Sequence, residues 1–163
     1  MAGKNKKKND PNTGVLATNR KAPRDFHILE KIEAGIVLTG TEVKSVKQGH
    51  ISIQEGYVHI DDRLEAWLVG CNVQPYDHGN IFNHTQVRER KLLLHHKEIE
   101  RLYSKTREKG LTIVPLKVYL VRGKIKIRIG LAKGKNVVDK RDTIKAREVK
   151  RDTQRAIRNH NDR

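Results

Sequence analysis

The chain has 163 residues, with 35 Lys and Arg against 19 Asp and Glu and a formal net charge of +16. That length supports one core with tails, because two cores would each bury too little surface to offset backbone ordering. Charge of this size points to a polyanion as partner: RNA, DNA or, as the weakest of the three, an anionic membrane, since no apolar run approaches the roughly twenty residues of a span and neither end pairs cations with a bulky apolar face.

The first 24 residues carry seven Lys or Arg and one Asp. Lys4, Lys6, Lys7 and Lys8 are followed by Asn9, Asp10, Pro11 and Asn12, a polar pattern unlike an export signal, so the cytoplasm is the expected compartment. Residues 1–23 read as a flexible basic arm and residues 24–132 as a folded domain. Phe26 and Ile28, then Ile36 and Leu38, alternate with polar residues around Glu33-Ala34-Gly35, giving two strands or one bent strand. Thr41 to Val46 reads as a brief helix with Thr41 as its N-cap. Tyr57, His59, Leu64, Ala66 and Leu68 flank Asp61-Asp62-Arg63 as a hairpin with an acidic turn. Cys71 is the single cysteine, which excludes an internal disulfide and suits a buried small apolar position.

A loop-rich stretch through Pro75, Gly79 and Asn83 precedes a helix from about Lys97, where Ile99, Leu102, Tyr103 and Thr106 share a face and Gly110 is the expected terminator. Leu111 to Leu120 reads as a strand interrupted at Pro115. Ile125, Ile127, Ile129 and Leu131 then alternate with Lys124, Lys126, Arg128 and Gly130, which sets three cations in a row outside the core. Such a row is either an edge-protecting solvated face or a surface that tracks phosphates. Five or six short strands with two or three helices fit a mainly β fold, a small antiparallel barrel of the oligonucleotide-binding type, with disordered basic tails.

Residues 133–163 carry eleven Lys or Arg against five Asp or Glu and few apolar groups, so this tail cannot fold by its own burial. Asp142 with Lys145, Glu148 with Arg151 and Asp152 with Arg155 are three apart, which biases the segment toward a helix by a few tenths of a kcal/mol per pair.

Asn19-Arg20-Lys21-Ala22, Glu33-Ala34-Gly35-Ile36, Gly40-Thr41-Glu42-Val43-Lys44-Ser45, Arg88 with Arg90-Lys91-Leu92-Leu93-Leu94, Pro115-Leu116 with Tyr119, and Gly134-Lys135 with Asp139-Lys140-Arg141 together resemble the SsrA-binding protein family, also called small protein B. The resemblance runs from about residue 19 to 160. It implies an RNA-binding protein without cofactor, metal or catalytic role, monomeric on RNA and not membrane-bound. Its partners would be the tRNA-like part of transfer-messenger RNA and the small ribosomal subunit at the decoding centre, in trans-translation. It carries Asn19, Glu33 and Leu93 over as RNA contacts. Arg20, Lys21, Arg88, Arg90, Lys91, Lys124, Lys126 and Arg128 are the further cationic candidates. In the tail it implies ribosome contacts by Gly134, Lys135, Asp139, Lys140, Arg141, Lys145, Arg147, Lys150, Arg151 and Arg155, with a helix forming on the ribosome. Asn136 and Val138 stand where the family commonly has a lysine and an aromatic residue.

Two other readings arise from the residues. A general ribosome-associated binder of single-stranded RNA, or an RNA chaperone, has the same composition. An enzyme would have to use His78, His84, His95, His96, Asp61, Asp62 and Glu65, whose spacing completes neither a zinc set nor an acid–base pair.

Overall fold

The computed structural model describes residues 14–79, 82–108 and 110–161. In chain order the elements are β1 (Gly14–Thr18), α1 (Ala22–Asp25), β2 (Phe26–Ile36), α2 (Gly40–Lys47), β3 (Ile51–Ser52), β4 (Tyr57–Ile60), β5 (Ala66–Val69), β6 (Asn72–Val73), β7 (Arg90–Leu93), α3 (His96–Thr106), β8 (Leu111–Val121), β9 (Lys124–Gly134) and α4 (Val137–Asn161). The main sheet runs β1-β8-β4-β5-β7-β2-β9, and a further pairing of β8 with β9 closes six of its strands into an antiparallel ring. A mainly β barrel was the expectation, and it holds. The short pair β3–β6 lies outside this ring.

Closure explains the long alternating strands. Ile127, Ile129 and Leu131 of β9 point inward and are buried with Ile113 and Val118 of β8, Ile32 and Ala34 of β2, Leu68 of β5 and Leu92 of β7. Of their alternate neighbours, Lys126 and Arg128 face out, whereas Val114 and Ala132 are buried with Ala22 of α1 in a second apolar cluster on the outer side of the sheet. β2 is one strand of eleven residues with an irregularity between Ile28 and Glu30, and β8 is continuous through Pro115 with a register shift between Pro115 and Lys117. The bulges let long strands curve round a small core.

Four boundaries differ from the sequence reading. α2 has its N-cap two residues before Thr41, because Glu42 reaches back to the Thr39 backbone N–H at 2.8 Å and makes Thr39 the N-cap. α3 ends at Thr106, and Gly110, at φ +83°, turns the chain into β8 instead of capping the helix. The arm expected over residues 1–23 is folded from Gly14 onward: β1 pairs with β8, matching Gly14 to Leu120 and Thr18 to Lys117. Residues 1–13 lie outside the described residues. At the other end the barrel reaches Gly134, since Phe26 pairs with Gly134 and His27 with Lys133. The chain then continues as the helix α4 over Val137–Asn161.

Candidate nucleic-acid interface

Alternation on β2, β7, β8 and β9 brings one outward band together. Registry sets Glu33 opposite Arg128, Gly35 opposite Lys126 and also opposite Leu93, Tyr119 opposite Lys126, and Lys117 opposite Arg128. Lys31 shares the outward side of β2 with Glu33, and Val15 of β1 pairs with Tyr119 beyond β8. Leu93 and Val15 are exposed apolar groups, at 55% and 58%. A Cβ at position 35 would stand 3.1 Å from the Leu93 Cβ, so glycine is what lets Leu93 sit down across the strand pair.

Glu33 organises the band. Its carboxylate accepts from the Tyr119 hydroxyl and from Lys126 Nζ at 3.0 Å, and these two bonds hold it below the usual carboxylate range. The Arg128 guanidinium lies over the Tyr119 ring, 5.3 Å from its centroid. Burial, followed by the bond to Glu33, raises the Tyr119 hydroxyl's pKa. One carboxylate therefore fixes a phenol and a cation, with Arg128 held over that phenol, and leaves Lys31, Lys117 and Lys124 for an outside anion. Leu93 and Lys126 line two neighbouring clefts, of about 560 Å³ with Glu33 and Arg101, and about 490 Å³ with Lys124, Leu38 and Val43. Such a surface offers phosphate contacts beside apolar ground for a ribose or an unstacked base.

Several expected contacts lie elsewhere. Asn19 is 3% exposed; its Nδ2 donates to the Ile53 and Pro115 carbonyls at 3.2 and 2.9 Å, and its Oδ1 accepts from Lys21 N and Ala22 N at 3.0 and 2.9 Å. Both donors and the acceptor of that amide are engaged within the fold, where they seat the start of α1 on the barrel. Arg90 is fully buried and spends its donors on Glu42 and on the carbonyls of Cys71, Arg88 and Gln86. It joins β7 to α2, with its donors spent inside the fold. Arg88 is half-buried and pairs with Glu42 at 2.5 Å. Lys91 binds Glu65 and lies 5.9 Å from the centroid of Trp67, on the outward side of β5 and β7. Arg20 is exposed, whereas Lys21 bonds to Glu55 and lines a third cavity of about 410 Å³ with Tyr57, Gly134 and Lys135.

That third cavity is where the tail leaves the barrel. Lys135 donates through its backbone to Asp25 O at 2.9 Å and through Nζ to Pro23 O at 3.1 Å, and Asp139 meets His27 at 3.4 Å. Beyond it Arg141, Lys145, Arg147, Lys150, Arg151 and Arg155 are all exposed. Of the tail residues carried over, Lys140 has a backbone in α4 but a side chain outside the described set.

Sequence reasoning missed Tyr119, Val15, Lys31 and Lys117 as members of the band. Period 2 along β8 and β2 marks three of them, and it also puts Arg90 in phase with buried Leu92 and Leu93 in phase with outward Lys91. The histidines and acids of the enzyme reading are dispersed: His84 bonds Thr41 Oγ1 and Val73 O, while Asp61 accepts from Arg63 N, Glu65 N and Trp67 Nε1.

Comparison with known proteins completes the site. The model of the SmpB protein family matches residues 16–159. The chain belongs to the SmpB family. An SsrA-binding protein of Ligilactobacillus salivarius (strain UCC118) is 50% identical over 153 residues, 94% of this chain and 98% of that relative. Another, from Levilactobacillus brevis, is 49% identical over 160 residues, 98% of this chain and the full length of the relative. A chain in the solved structure "tmRNA-SmpB: a journey to the center of the bacterial ribosome" is 44% identical, with a TM-score of 0.61 over 74% of this chain and 85% of its own. SmpB family membership spans both the outward band and α4, so the two basic surfaces belong to one family architecture.

Proposed function

We propose that this chain grips the tRNA-like part of transfer-messenger RNA with the band around Glu33, Leu93 and Lys126, and carries that RNA to stalled ribosomes for trans-translation. There α4 probes the decoding centre and the empty messenger channel. The carrying observation is the Glu33–Tyr119–Lys126–Arg128 network beside exposed Leu93, an ordered cationic face with apolar ground, in a chain of the SmpB family. Preordered cations bind phosphate without first losing side-chain freedom, and a rigid face selects a folded RNA over a floppy one. α4 presents cations along its length and, among the described residues, packs on the fold chiefly through α1, which suits an RNA-lined channel that fixes its direction. The role is delivery without catalysis, in the cytoplasm; no described helix is long and apolar enough to cross a membrane.

A filter-binding titration at physiological salt tests this. The wild-type chain is expected to prefer the tRNA-like domain to single-stranded RNA of equal length by about a hundredfold or more. Glu33→Gln and Leu93→Asp should each weaken the specific complex by about tenfold while the circular dichroism spectrum is unchanged. Equal affinity for both RNAs is the behaviour of a general RNA chaperone and would overturn the proposal.

A further inference from the structure

The segment between β6 and β7 is long, yet it is pinned on both sides to α2. Ser45 Oγ donates to Gln74 O at 2.6 Å where the segment leaves, and His84 Nδ1 meets Thr41 Oγ1 at 3.0 Å where it returns. Asn83 closes it internally: Nδ2 donates to Tyr76 O at 2.9 Å and Oδ1 accepts from Tyr76 N at 3.2 Å. Gly79 donates to the same Tyr76 carbonyl at 2.7 Å, and a Cβ there would stand 2.6 Å from Asn83 Nδ2, so the turn closes only around a glycine.

This bracing presents aromatic rings to solvent. The rings of Tyr76 and His78 meet edge to face at 5.6 Å and 72°, Lys44 Nζ lies 5.3 Å from the Tyr76 centroid, and Phe82 is 85% exposed. Lys47 is exposed one turn along α2 from Lys44. A large apolar ring held that far into water has no packing role in its own fold. Aromatic groups interleaved with cations are the chemistry of base stacking on unpaired nucleic acid. The outward band lies across α2, whose Val43 lines the cleft beside Leu93.

We propose that Tyr76, His78 and Phe82, backed by Lys44 and Lys47, form a second RNA-contact surface that stacks unpaired bases, separate from the face around Glu33 and Leu93. It rests on the RNA-binding part of the proposed function. The bases come either from transfer-messenger RNA or from ribosomal RNA, and the two sources share this chemistry.

The test uses the full chain carrying His78→Ala with Phe82→Ala, both exposed side chains, and measures Kd for transfer-messenger RNA and for vacant ribosomes separately. Affinity for one of the two is expected to fall about tenfold, at an unchanged melting temperature. A fall confined to transfer-messenger RNA assigns the bases to that RNA, and one confined to ribosomes assigns them to ribosomal RNA. Where the fall is on transfer-messenger RNA, adding Leu93→Asp should multiply it, since separate surfaces act independently. A photoreactive p-azidophenylalanine at position 82 reads the same contact without removing the ring. Unchanged Kd for both RNAs overturns the inference, as does a cross-link to ribosomal protein alone. A wild-type chain without preference for the tRNA-like domain defeats the proposed function, yet leaves this surface standing if the double variant loses ribosome affinity.

Discussion

Glu42 ties α2 to Arg88 and Arg90, the latter on β7, the strand that also carries Leu93 of the outward band. It is fully buried on α2 and accepts from Arg88 Nε at 2.8 Å, Arg88 Nη2 at 2.5 Å, Arg90 Nε at 3.0 Å and Thr39 N at 2.8 Å. Burial alone would raise its pKa, but the Arg88 bond, the Thr39 N–H and the charges of Arg90 and Arg88 outweigh it and pull the value down to about 2 from 4.5. Because the folded value lies below the unfolded one, this stabilisation is complete above about pH 4.5 and is lost as pH falls toward 2. A shift of that size corresponds to roughly 3 kcal/mol at neutral pH. Urea titrations across that range should therefore show Glu42→Gln destabilising the chain by about 3 kcal/mol at pH 7, since Arg90 is left as an unpaired buried charge. The variant should also show a flatter acid limb. A variant with the wild-type pH slope would place the acid-labile group elsewhere. Spacing marks Arg90 as inward, in phase with Leu92, but it names no partner 48 positions away in sequence, and without one a buried arginine is an unlikely reading of an Arg-x-Arg run.

At the scale of elements, β9 is the clearest case of pattern becoming structure: its apolar residues enter the core and Lys124, Lys126 and Arg128 stand outside, as their alternation requires. The tail is different. Its charge spacing favours a helix, and α4 forms over Val137–Asn161, but where it departs from the barrel depends on Lys135 bonding to α1. Truncation after Lys135 keeps every barrel strand and those anchoring bonds. The shortened chain should hold transfer-messenger RNA within about threefold of the full chain, because the band is intact, and should fail to tag proteins on stalled ribosomes. Parallel loss of both activities in a binding titration and a tagging assay would contradict a division of labour between barrel and helix.

Over the whole molecule, twelve of the sixteen net charges sit in residues 1–24 and 133–163, and the barrel between them is close to ordinary for a soluble domain. The barrel still makes a basic face, because registry collects Lys31, Lys117, Lys124, Lys126 and Arg128 around one glutamate. Each phosphate contact adds roughly 0.7–0.9 to the slope of log affinity against log salt. Binding to ribosomes should consequently show a steeper salt slope for the full chain than for the chain truncated after Lys135, while slopes on the isolated tRNA-like domain stay alike. Identical ribosome slopes would mean that α4 makes no phosphate contacts there.

By itself the sequence determined the class of partner, the antiparallel barrel and the helical bias of the tail, since charge, alternation of period 2 and charge pairs three apart are properties of neighbouring residues. Closure decided the rest. Only when β8 pairs with β9 does Tyr119 reach Glu33 from 86 positions away, and only when β7 meets α2 does Glu42 neutralise Arg90. Asn19 looked available for RNA, yet its amide is taken up by backbone carbonyls and N–H groups that folding brings to it, while Leu93, carried over as an RNA contact, stands in solvent across from Gly35. Local pattern says which side of a strand a residue takes; which residues share that side, and whether their donors are already spent, follows from pairings between segments far apart in the chain.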